Sequence, residues 1–254
     1  MTPPALKSLC DLVEQRTGYP VAVTADDAQA TSIKMRSASK ETPVHSILIH
    51  PKHEESATYL VALQLSGLLF KWADPAGIRD FVENPEKTGY VRRKIAQKVE
   101  RKGTPALNAA QYSDMLVTGL LHQLNSTPLE ILSSRWFFNE YPRHREEQAR
   151  YVGAYLRGTS EVLSPKVRDM CPEEIYSKSF AINAAYAAAW CDLVGSKVAL
   201  IPYEAFGALT QGRKLVSLLE GIEPFSPTAY SGAVDAWGAE LGMSDWYRWN
   251  LRSS

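Results

Sequence analysis

Cysteine is scarce in this sequence. Cys10, Cys171 and Cys191 are the only three in 254 residues, an odd number, far apart and without a Cys-x-x-Cys pair. That excludes a disulfide framework and a zinc knuckle, and makes a reducing cytoplasm the expected location. An excess of either charge is lacking too. Lys plus Arg and Asp plus Glu both number 28, so no global field draws the chain to nucleic acid, and any such partner would need a local patch. No apolar run is long enough for a membrane span; AINAAYAAAWCDLVG, from residue 181, is interrupted by Asn183 and Asp192. The opening MTPPALKSLCDLVEQ places Pro, Asp and Glu where a secretory leader needs basic and then apolar residues, so none is expected. A Gly-x-Gly-x-x-Gly dinucleotide turn, a Gly-x-Ser-x-Gly nucleophile elbow, internal repeats and low-complexity tracts are also missing.

What is present is apolar patterning of mainly helical period. The hydrophobic fraction of 45% is enough for one substantial core. The expected fold class is α+β and mostly helical, with a small sheet near the N-terminus. The expected division is a core at 1–126, holding the sheet and a central helix, and a helical region at 127–254 packed on it; a single domain is the alternative. Leu6, Leu9, Cys10 and Val13 make one stripe of a first helix. PVAVT at 20–24 and HSILIH at 45–50 alternate and are β-branched, and read as strands; an edge strand or loop is expected at 32–36. Ser56 is placed to N-cap a helix that is apolar nearly all round. Further helices are expected at 90–101, 107–124, 129–138, 143–156, 172–193, 203–219 and 227–241.

The stretch YLVALQLSGLL at 59–69 carries the most specific pattern. His at position 63, Glu at 64 and His at 67 would make it a zinc-peptidase helix, in which two imidazoles one turn apart hold the metal and the Glu takes a proton from the bound water. In its context of strand, polar turn and apolar helix, the chain resembles zincin-type metallopeptidases, nearest the ImmA/IrrE-like branch, over 44–69. The resemblance implies a zincin-like core. It also marks a departure from the family, since Leu63 and Gly67 cannot ligate zinc and Gln64 cannot act as a base. A third ligand in such a fold comes from a later helix. PLEILSSRW at 128–136 is similar to a P-x-D-x-x-I-E-R-W pattern, with Ser134 in the Glu position; Glu146 and Glu147 are the other candidates. Leu63, Gln64, Gly67 and Ser134 are thus vestigial positions, with no catalytic, metal or cofactor site expected. If the frame holds, 63 and 67 share a face, 134 or 146–147 faces them, and Leu63 fills the former site as an apolar plug.

The remaining motifs give weaker signals. His53 and His122 each begin a zincin-like string but lack the second His, and His50, His53 and Glu54 read as a solvated turn. GALTQGRK at 207–214 lacks the Lys-Ser/Thr end of a phosphate loop and falls within a helix. Cys171 and Cys191 read as a helix start and as core. On the helix at 90–101, Val91, Ile95 and Val99 form an apolar stripe that leaves Arg92, Arg93, Lys98 and Lys102 for solvent or for phosphates. Trp237, Trp246, Tyr247 and Trp249 are expected to cap the core, or to form a docking surface if exposed.

These features imply a pseudo-metallopeptidase that binds a protein or peptide partner, needs no cofactor and does not enter a membrane. The resemblance suggests a setting in bacterial or phage regulation or defence. The alternative is a nucleic-acid-binding module built on the basic helix. A third reading is an enzyme of unrelated chemistry using Glu146, Glu147 or Cys171.

Overall fold

The computed structural model describes residues 3–28, 30–74, 77–101, 108–159, 168–169 and 171–251. It is mostly helical, with a small sheet near the N-terminus. Two compact units share the chain: the first combines 1–78, 132–154 and 223–230, the second 79–131, 155–222 and 231–254.

In the first unit, helix α1 (Lys7–Thr17) ends at Gly18, whose φ of 76° gives the left-handed turn that closes the helix. Strands β1 (Val21–Ala25), β2 (Ile33–Arg36) and β3 (His45–Ile49) follow. The order is β1-β3-β2, with β3 central, parallel to β1 and antiparallel to β2. Of the two readings of 32–36, edge strand or loop, the strand is the one present. His45, Ile47 and Ile49 point to the buried side. After β3, a 3-10 turn (Pro51–Ser56) leads into α2 (Ala57–Trp72), whose Tyr59, Leu60, Val61, Leu65, Leu68, Leu69 and Phe70 are buried. The central helix is where the apolar pattern placed it.

The same unit includes the end of α4 (Ala109–Glu140) and the start of α5 (Arg145–Thr159). The pattern at 107–124 and 129–138 predicts two helices parted at Pro128; one continuous helix is found, with Pro128 inside it. Residue 107 lies outside the described residues. Proline removes one backbone donor, and the buried side chains on either side, Leu124, Leu129, Ile131 and Leu132, hold the helix through that loss. Phe225 tethers the 223–230 segment by packing against Phe70 and Trp136, with ring centroids at 4.8 and 5.2 Å. Its φ of 61° is unfavourable for a bulky residue, a strain that this aromatic packing offsets.

The second unit contains β4 (Arg79–Glu83), α3 (Pro85–Arg101), α6 (Glu173–Val194), α7 (Ile201–Ala205), α8 (Leu209–Ser217), α9 (Ala229–Glu240) and β5 (Tyr247–Leu251). Helix α6 is Ala-rich and packs closely on α8, where Gly212 meets the backbone of Ala184 and Ala185. The single helix expected at 203–219 is broken at Gly207, φ 76°. Antiparallel pairing of β4 with β5 was not expected from the sequence. Of the C-terminal aromatics, Trp237, Trp246 and Tyr247 are buried. Tyr247 lies on β5 and stacks on Phe81, and Asp235 accepts hydrogen bonds from the Tyr247 hydroxyl and the Trp249 indole at 2.7 and 2.9 Å. Among the described residues no helix is long and apolar enough to cross a membrane.

Candidate functional site

The strand-turn-helix passage from β3 into α2 fixes where the vestigial positions lie. Leu63 and Gly67 are four residues apart on α2, so they share a face one turn apart. Leu63, Gln64, Gly67 and Lys71 are all half-buried, while the rest of the helix from Tyr59 to Phe70 is buried. The expectation that Leu63 seals the former site as a plug therefore needs correction. It is only partly withdrawn from solvent, because Leu60, Leu65 and Phe70 already supply the interior contacts of this helix.

Ser134 does approach α2, one turn before Leu63. Its Oγ lies 2.9 Å from the hydroxyl of Tyr59, and both side chains are buried. The backbone carbonyl of Ser134 accepts from Gln148 Nε2 at 2.9 Å, which ties α5 to α4 within this unit. Gln148 is itself fully buried, and its Oε1 meets no hydrogen-bond donor among the described residues. Tyr59 also packs edge-on against Phe137 and tilted against Tyr151, at 5.4 and 5.7 Å. Ser134 is thus held by a phenol and an amide.

Glu147 has a position that sequence reasoning did not give it. The helix start at Ser56 carries no side-chain cap; the Tyr59 N–H donates instead to Glu147 Oε1 at 2.8 Å. A carboxylate from a distant helix thereby satisfies one of the free donors at the positive end of α2. Its second oxygen lies 2.9 Å from His144 Nδ1. Glu55, in the turn before α2, pairs with Arg150 of α5 at 2.9 Å. No local sequence signal announces such caps, since the partner is 88 residues away.

The histidines resolve individually. His45 is fully enclosed: its Nδ1 accepts from the Ala38 N–H and its Nε2 contacts Thr17 Oγ1, both at 3.0 Å. Burial lowers its pKa. His50 accepts from the Lys52 N–H and so caps the 3-10 turn. His53 Nε2 lies 2.9 Å from Ser32 Oγ, and its pKa is lowered by burial first, with Lys52 and His50 adding to the effect. Among the described residues, no group of three or more His, Cys, Asp or Glu side chains is arranged to hold a metal ion.

On the basic helix α3, Arg92 is not left for solvent. It forms a salt bridge with Glu83 and donates from Nε to Asp114 Oδ1 at 3.0 Å. The Arg92 side chain holds the Glu83 carboxyl below its ordinary range, against the effect of burial. Of the apolar stripe, Ile95 and Val99 are buried and Val91 is half-buried; the strand β4, with its Glu83, is what the pattern does not reveal. Arg93 and Lys98 are exposed, and Lys102 lies outside the described residues. Glu146 stands in the first turn of α5 beside Glu147. The Cys171 thiol is buried, and burial pushes its pKa up to about 11, which leaves it protonated and a poor nucleophile near neutral pH.

The chain matches no protein-family model, and neither the curated proteins nor the solved structures yield a match.

Proposed function

We propose that this chain is a catalytically inactive, metallopeptidase-like protein whose role is to bind a protein or peptide partner, in a regulatory or defence setting of the kind the resemblance suggests. One observation carries the reading. The strand β3 runs through a short turn into α2 and leaves positions 63, 64 and 67 together on its half-buried face. In the family that this frame resembles, that face holds two imidazoles and a carboxylate; here it presents an isobutyl group, an amide and a glycine. Such a face can make apolar and hydrogen-bonded contacts to a bound chain, but it cannot hold zinc or activate water. Ser134 and Glu147 support the reading by joining α4 and α5 to α2, the neighbourhood from which a third ligand would come.

Elemental analysis of the purified protein tests the inactive part of this reading, with less than a tenth of an equivalent of zinc expected as a rough bound. About one zinc per chain, lost on replacing His50 or His53, would sink it. The frame itself is tested by restoration. Leu63→His, Gln64→Glu, Gly67→His and Ser134→Glu together should bring back measurable zinc binding at some cost in stability, because Ser134→Glu places a carboxylate in a buried position already occupied by a hydrogen bond. A folded quadruple variant with no affinity for zinc would count against the frame.

The nucleic-acid alternative loses one of its four side chains, since Arg92 is committed to Glu83 and Asp114. Duplex binding should be weak, and little changed by Arg93→Ala with Lys98→Ala. A steep salt dependence that these substitutions flatten would restore that alternative.

A further inference from the structure

The second unit has a cavity of about 310 Å³ between α8 and the 197–200 turn with α7 that follows it. Leu200 and Leu209 line it together with Val198 and Ile201, and Lys197, Arg213 and Glu204 complete the wall. Leu200 is buried, whereas Val198 and Ile201 are 74% and 62% exposed. Large aliphatic side chains that open to water around a cavity mark a surface that another molecule covers. The neighbouring Phe206 is exposed as well and has the Arg168 guanidinium over its ring at 5.9 Å.

Charge indicates what kind of molecule. Lys197 and Arg213 are both exposed, and neither meets a carboxylate among the described residues. The adjacent Lys214, by contrast, is paired with Glu240 at 2.7 Å. Two cations against the single carboxylate of Glu204 leave the lining of the cavity net positive. The volume is at the small end for a ligand pocket and admits a branched aliphatic side chain with room to spare, and Val198 and Ile201 at its rim offer further apolar contact.

We infer that this cavity is a docking site for an acidic peptide segment of a partner protein, with a Leu- or Ile-type side chain entering the cavity and flanking carboxylates paired with Lys197 and Arg213. Burial of the aliphatic anchor supplies affinity, and the two cations set specificity for an acidic flank. The inference does not depend on the metallopeptidase-like frame, which lies in the other unit; failure of either leaves the other standing.

The test is selection of a random peptide library on the full-length chain, followed by affinity measurements on the enriched peptides. Enriched sequences should share an aliphatic residue flanked by Asp or Glu. Their affinity should fall on the order of tenfold for each of Lys197→Glu and Arg213→Glu, and by at least as much for Ile201→Asp, with Arg213→Lys largely retaining binding. The Lys197→Glu, Arg213→Glu double variant should turn the preference toward basic flanks. All these side chains are exposed, so the variants should keep the far-UV circular dichroism and melting temperature of the parent chain. Enrichment of peptides without acidic residues, binding indifferent to the three substitutions, or no enrichment would each overturn the inference. So would concentration-dependent dimerisation abolished by Ile201→Asp, because the occupant would then be a second copy of the chain.

Discussion

His45 has only one tautomer that fits its surroundings. Nδ1 accepts the Ala38 N–H, so the proton sits on Nε2 and is donated to Thr17 Oγ1, whose own hydrogen goes to the Tyr19 carbonyl. Protonating Nδ1 would break the bond to Ala38 and place a charge in a site enclosed by Tyr19 and Trp72. Folding thus lowers this pKa below its ordinary value of 6.5. Above that value neither state takes up a proton and the full stability is present. As pH falls through 6.5 the unfolded chain binds the proton first, and stability drops until the lower folded pKa is passed. The His53 shift has the same sign. The unfolding free energy from urea denaturation should decline as pH falls through 6.5, by at most about 1.4 kcal/mol per pH unit for each histidine. His45→Gln, which keeps an acceptor for Ala38, should flatten that decline; an unchanged profile would show that His45 does not carry it. From sequence alone, His45 could be assigned to a strand but not to its partners, which come from a helix end and a loop.

At the level of elements, local period was readable and long-range pairing was not. The α2 stripe, the β1 and β3 strands and most helix positions follow from apolar spacing, which depends on the few residues around each position. β4 and β5 could not be anticipated, because RDFVE and YRWNL hold only one β-branched residue between them and each strand's partner lies far away in the chain. Unrecognised, β4 also concealed the carboxylate that occupies Arg92. Helix packing leads to a paired prediction. A Cβ at residue 212 would come within 2.8 Å of the Ala184 backbone carbon and the Ala185 nitrogen. Gly212→Ala should therefore destabilise by about 1–3 kcal/mol even though alanine is the better helix former. At Gly119, inside α4, nothing lies within 4 Å, and Gly119→Ala should stabilise by about 0.5–1 kcal/mol. Chemical denaturation of the two variants separates steric conflict from backbone entropy. The α2 cap behaves similarly: Glu147→Ala should cost about 1–2 kcal/mol, by loss of a charge-assisted bond at a helix N-terminus. Ser56→Ala, at the nominal cap whose side chain makes no capping bond, should cost about 0.5 kcal/mol or less.

Across the whole molecule, no compact unit is one continuous stretch of chain. The first unit takes its helix α1, its sheet and α2 from the N-terminal third, but draws Ser134, Phe137, Glu147, Gln148 and Phe225 from segments much further along. Composition and spacing carry no mark of this interleaving, since a helix such as α4 reads the same whether it serves one unit or two. The contacts missing from a fragment of residues 1–126 include the carboxylate at the start of α2, the hydroxyl partner of the buried Tyr59, and the rings against Tyr59 and Phe70. Removing Ser134 takes a hydrogen-bond partner from a buried phenol, and removing Phe137 and Phe225 opens the core on that side. Losses of these kinds cost about 0.5–1.5 kcal/mol for the hydrogen bond and about 3–5 kcal/mol for a large aromatic, together comparable to the whole stability of an ordinary domain. The fragment should accordingly give a poorly dispersed amide NMR spectrum and no cooperative urea transition, whereas the full chain gives both dispersion and a sharp transition. Adding residues 127–230 in trans should restore dispersion in part. A fragment 1–126 that unfolds cooperatively by itself would mean that the sheet and α2 hold together without α4 and α5, and that the contacts of Ser134 and Glu147 are accessory to the fold.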